Sequence, residues 1–184
     1  MKPLPPPKLH VSLSNRQRHL RLDRKSLLEF LRAAAALAAE ARKQPQSPGP
    51  RRRAGRRYKS DTDSARPATA PNHAAILHNL SVALVDDATI AALNQRFLNR
   101  PGPTDVLSFN LAPGLGELIV SAERAVIVAR QLRRPPAAEL ALYLVHGLLH
   151  LAGFDDHTPA QRRAMRRAER QVLGTLQGIT TFAV

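Results

Sequence analysis

His146-Gly-Leu-Leu-His150 places two imidazoles four residues apart. On a helix that spacing is one face and one turn, close enough for two ring nitrogens to reach one divalent ion. Zinc is the default ion for nitrogen donors in a tetrahedral site. Gly153 follows at once, and glycine tolerates the left-handed backbone that ends a helix, so the chain can fold back over the pair. Phe154-Asp155-Asp156-His157 then brings a third imidazole and two carboxylates to the same end. Two imidazoles buried in so apolar a helix are costly without partners, and a metal supplies one. The metalloprotease form of this helix carries a Glu general base directly after the first histidine. Here that position is Gly147, so peptide hydrolysis by that route is not expected.

The elements that must hold these residues follow from periodicity. Lys8–Ser14 alternates apolar and polar residues, as a half-buried strand does. Asp23 caps a helix whose stripe of Leu27, Leu28, Leu31, Ala34, Ala35 and Leu37 runs to about Glu40. His78–Val85 alternates again as a second strand, and Asp86-Asp87 opens a short helix from Ala88 to about Leu93. A Pro- and Gly-rich loop, Asn99–Pro103, precedes short strands at Val106–Phe109 and Glu117–Val120. Ser121 caps a helix to about Arg133. The helix from about Ala137 to Ala152 is apolar nearly all round, which predicts the buried central helix. Thr158-Pro159 caps a last basic helix to about Leu176. The fold class expected is an α/β (α+β) sandwich, a small mixed sheet of about four strands on four to five helices.

The chain has 184 residues, with 28 Lys and Arg against 14 Asp and Glu, a formal charge of +14. Such a surplus points to an anionic partner, nucleic acid or an anionic membrane. The absence of Cys excludes a disulfide scaffold, a thiolate metal site and a cysteine nucleophile. Aromatics are only 4% of the chain, which argues against wide stacking platforms for single-stranded bases. No apolar run approaches the roughly 20 residues of a membrane span. Met1-Lys-Pro-Leu-Pro-Pro-Pro has no apolar signal core, so a cytoplasmic location is expected. Residues 43–66 hold 8 basic and 2 acidic residues, +6 of the +14, with three prolines and almost nothing to bury. A disordered insertion over 43–73 is expected within a single domain, either a phosphate-binding arm or a plain linker.

His146–His157 resembles the signature of the bacterial YbeY family, zinc-dependent, single-strand-specific endoribonucleases of ribosomal RNA maturation. Leu93-Asn94 with Phe97, then Pro103-Thr-Asp-Val-Leu-Ser-Phe109, is similar to the family's block ahead of the site, and Gly116–Val120 resembles its next strand. The match covers about 76–176, more loosely 8–40. It implies one zinc ion per chain on a three-histidine site, with His146, His150 and His157 as ligands, and action on small-subunit ribosomal RNA near its 3′ end. The chain departs from the pattern twice. Asp156 stands where the third histidine is due and His157 lies one residue later, so either the turn absorbs a residue and His157 ligates, the reading preferred here, or Asp156 supplies an oxygen. Leu98 takes the place of an Arg linked to activity; Arg96 and Arg100 flank it as candidate RNA contacts.

Two classes of function fit. In one the ion serves hydrolysis of RNA; in the other it is structural, in a ribosome-assembly factor. A metal-dependent hydrolase of another substrate is a third, weaker reading. Three protein donors plus water fit catalysis, and four protein donors fit structure.

Overall fold

The computed structural model describes residues 8–43, 77–177 and 182. Among them the elements run β1 (His10–Asn15), α1 (Arg24–Lys43), β2 (Asn79–Val85), α2 (Asp87–Leu98), β3 (Val106–Ala112), β4 (Leu115–Ser121), α3 (Ala122–Leu132), α4 (Pro136–Leu151) and α5 (Pro159–Thr175). The sheet order is β1-β2-β4-β3. β1, β2 and β4 are parallel, and β3 pairs antiparallel with β4 to form the edge. A mixed four-stranded α+β fold is therefore what the sequence led us to expect. The basic insertion expected over 43–73 lies outside the described residues from position 44 onward.

Alternation along the strands divides the molecule into two layers. Leu80, Val82 and Leu84 of β2 and Leu118 and Val120 of β4 face one way, into a large core completed by α1, α4 and α5. Ile119 and Leu107 face the other way and pack with Val85 and Ile90, and with the partly buried Ala83, Leu93 and Phe109, in a small core on the inner face of α2. In α1 the buried stripe is Leu27, Phe30, Leu31, Ala34, Ala35, Ala38 and Ala41, so Leu28 and Leu37 sit at its margin.

Helix α4 runs through the large core, touching α1, α3, α5, β3 and β4. Leu140, Leu144 and Leu149 have no exposed surface. Fully burying each such side chain contributes about 1.5–3 kcal/mol, which holds this helix in place without help from a cap. Gly147 lets it lie close on the sheet. A Cβ there would stand 2.8 Å from Leu118 Cδ2 and 2.9 Å from Val106 Cγ2.

Helix α2 is longer than its apolar stripe predicts, reaching Leu98 rather than Leu93. Asp86 caps its start by accepting from the Thr89 amide, and Asn99 ends it in the left-handed conformation at φ 52°. The extra turn carries Phe97 and Leu98 into solvent, so no apolar repeat announces it.

Candidate metal centre

His146 and His150 stack one turn apart on α4, ring centroids 4.6 Å apart and nearly perpendicular. Each ring has a fixed outer partner. His146 Nδ1 lies 2.7 Å from Glu169 Oε1 on α5, and His150 Nδ1 lies 3.2 Å from the Phe154 carbonyl oxygen. A carbonyl can only accept, and so can an ionised carboxylate, which places the ring protons on Nδ1 and leaves a lone pair on each Nε2. These two Nε2 atoms face each other at 3.1 Å. Two lone pairs at that distance repel unless a proton or a cation lies between them, and the donor set therefore fits a divalent ion.

The chain after α4 brings a further group able to hold a metal to the pair. Gly153 adopts φ +90°, and the Gly153 and Phe154 amides bond back to His150 O and Leu149 O. The reversed chain is then anchored, with Phe154 buried beneath the Arg42 guanidinium and Arg162 donating to the Asp156 and His157 carbonyls. A capping box between Thr158 and Gln161 starts α5 at once. Within this turn the Asp156 carboxylate joins His146 and His150, with all three donor atoms within 4.8 Å. His157 falls in a second group with Asp155 and Asp156, its Nε2 3.3 Å from Asp155 Oδ1 and its side chain 60% exposed.

The electrostatics separate the two histidines. Burial disfavours the charged form of His146, but the Glu169 hydrogen bond, with Asp105, Glu169 and Asp156 as nearby negative charges, outweighs it and raises the pKa above the ordinary value. Burial lowers that of His150, and His146 beside it pushes in the same direction. Any proton shared by the pair therefore sits on His146.

Glu169 was not apparent from the sequence, although a signal exists. It is the one acidic residue of the basic helix α5, and it falls four residues after Met165 on the face buried with Ala168 and Val172. A lone carboxylate at a core-facing position implies a partner inside. Position 147 is also explained, because it faces β3 and β4 and has no room for a general base. Arg96 and Arg100 are exposed at the end of α2 and in the following loop, in the layer across the sheet from α4. No hydrogen bond or ion pair joins their side chains to the histidine group among the described residues. Leu98 is 48% exposed beside them.

Comparison with known proteins points to one family. A family model for endoribonuclease YbeY matches residues 57–177. The chain is similar to proteins named endoribonuclease YbeY from Rhodopirellula baltica, 47% identical over 97 residues, half of each chain, and from Anaeromyxobacter sp. (strain Fw109-5), 42% identical over 111 residues, 57% of each. A Rhodococcus opacus relative of the same name is 39% identical over 109 residues, 51% of this chain and 61% of that one. The chain thus spans about half the length of the curated relatives it matches. A solution structure from Thermotoga maritima shares the fold, with a TM-score of 0.50 at 21% identity over 91% of this chain and 92% of that one. With a family match over most of its length and the motif residues gathered at one site, the chain belongs to the YbeY family.

Proposed function

We propose that this chain is a cytoplasmic, zinc-dependent, single-strand-specific endoribonuclease that matures ribosomal RNA at the 3′ end of the small subunit. The observation that carries the reading is the pair of Nε2 atoms 3.1 Å apart, each on a ring whose other nitrogen is already bonded. Its relatives' name, endoribonuclease, supports the reaction class. The charge of +14 fits RNA as the partner.

His146 and His150 would hold one zinc ion, with Asp156 as the third donor; His157 is the alternative. Support for Asp156 comes from its place in the group with both histidines. When bound, zinc supplies a Lewis acid and acidifies water near neutral pH. Glu169 and the Phe154 carbonyl orient the two rings, and such partners fix the tautomer and direction of a ligating imidazole. Arg96 and Arg100 would bind flanking phosphates, the work left to them where Leu98 replaces an arginine.

A second reading, an assembly factor with a structural ion, draws on one observation. Asp155 and His157 lie against Asp156, so a fourth protein donor is at hand. The test is metal analysis of purified protein with a cleavage assay on single-stranded and duplex RNA, with and without a chelator. Zinc-restored cleavage confined to single strands is the expected result. Stoichiometric zinc with no cleavage would favour the assembly factor.

A further inference from the structure

The described residues include five Phe and one Tyr, and one ring among them is largely exposed. Phe30, Phe182, Phe154 and Tyr143 are buried and Phe109 is partly so, whereas Phe97 is 55% exposed. It is nonetheless held in place. Phe109 packs edge-on against it at 5.4 Å and 64°, and the Arg96 guanidinium carbon lies 5.5 Å from its centroid. Neither Arg96 nor Arg100 pairs with a carboxylate among the described residues.

We propose that Phe97, braced by Phe109 and flanked by Arg96, is the stacking site for one unpaired nucleobase of the RNA. The inference rests on the endoribonuclease reading and adds a source of strand selectivity to it. A braced ring with an unpaired cation beside it is complementary to a partner that is planar and apolar in one part and anionic in another. A nucleotide has both parts, and base–aromatic contact tolerates any sequence because every base has a π-face.

The position suits the same strand that reaches the histidines. On the edge strand β3, Val106 and Ser108 point toward Gly147 of α4, while Leu107 and Phe109 point toward α2. The ring and the metal centre therefore flank one sheet edge, and a single strand crossing that edge can engage both. A duplex keeps its bases paired and stacked, so it has no free face to offer the ring.

The test measures binding of a short single-stranded RNA to the full chain by fluorescence anisotropy. Phe97→Ala should weaken binding about 5- to 20-fold, the low end of what loss of one stacked base costs. Phe97→Trp should restore it and Phe97→Leu should not, because leucine is apolar without a π-face. The slope of log affinity against log salt should stay unchanged in Phe97→Ala, and should become shallower by about 0.7 in Arg96→Ala. Zinc content should be the same in all variants. If wild type binds RNA and Phe97→Ala or Phe97→Leu binds equally well, the stacking site is wrong while the endoribonuclease reading stands. If wild type binds no single-stranded RNA, both are overturned.

Discussion

The two faces of the sheet are covered unequally. On one side α1, α4 and α5 bury a large core, and the two histidines and Glu169 meet at its margin. On the other side α2 covers a core of four buried residues, and its last turn leaves Phe97 and Leu98 in solvent. The thick side fixes positions. Close packing around Gly147 leaves α4 no freedom to shift, so rings one turn apart keep their nitrogens aligned. The thin side presents surface, and its exposed arginines have space to meet a long anionic chain. A site that must hold an ion within a few tenths of an ångström belongs in the first setting. Contacts that follow a variable strand belong in the second.

Cutting a cavity into each layer should separate them. Leu144→Ala, in the thick core, should cost about 3–5 kcal/mol and lower zinc affinity, because α4 loses its fixed seat. Ile90→Ala, fully buried on the inner face of α2, should cost about 2–3 kcal/mol, since a thin layer can collapse over the gap, and should leave zinc untouched. Denaturant titration with zinc analysis checks both. Equal zinc loss in the two variants would break the comparison.

The next effect in size sharpens which side of the turn donates. Asp156→Ala should lose zinc far more than His157→Ala, whose ring is 60% exposed and pairs with Asp155. A zinc titration with the opposite order would assign the third donor to His157.

Much of the thick side was legible in the sequence, and the reasons are local. Helix α4 is apolar nearly all round, as a buried helix is, and i, i+4 histidines on it must share a face. Gly153 marks the reversal by its residue type. The order of donors beyond it was not legible, because one residue in a turn moves a side chain by several ångströms and spacing cannot say which side chain arrives. Glu169 was hidden for another reason: it reaches His146 across 23 residues, through the packing of α5 on α4. The end of α2 was missed because Asn94–Leu98 breaks the apolar repeat, and only Asn99 marks the stop.

Smaller effects belong to the partners of the rings. Glu169→Gln should weaken zinc about 10- to 100-fold while the chain remains folded, the usual cost of losing a ligand's hydrogen-bond partner. Acid should act on the ion more than on the fold. Zinc must displace the proton that His146 holds above the ordinary histidine value of about 6.5, so affinity should fall as pH drops from above that value. In the metal-free chain the two histidines oppose each other. The raised pKa of His146 contributes stability below about 6.5 that is lost as pH rises through its folded value. The lowered pKa of His150 contributes stability above about 6.5 that is lost as pH falls through its folded value. Thermal melts of chelated protein should therefore be highest near pH 6.5, falling on the acid side as His150 gains its proton and on the basic side as His146 loses its own.

The central claim is that His146 and His150 converge on one ion, and elemental analysis of wild type, His146→Ala and His150→Ala tests it directly. Wild type should carry close to one zinc per chain. Each variant, with its helical content retained, should carry almost none, because only one of the two facing Nε2 atoms is left. Near-equal zinc in all three proteins would contradict the account.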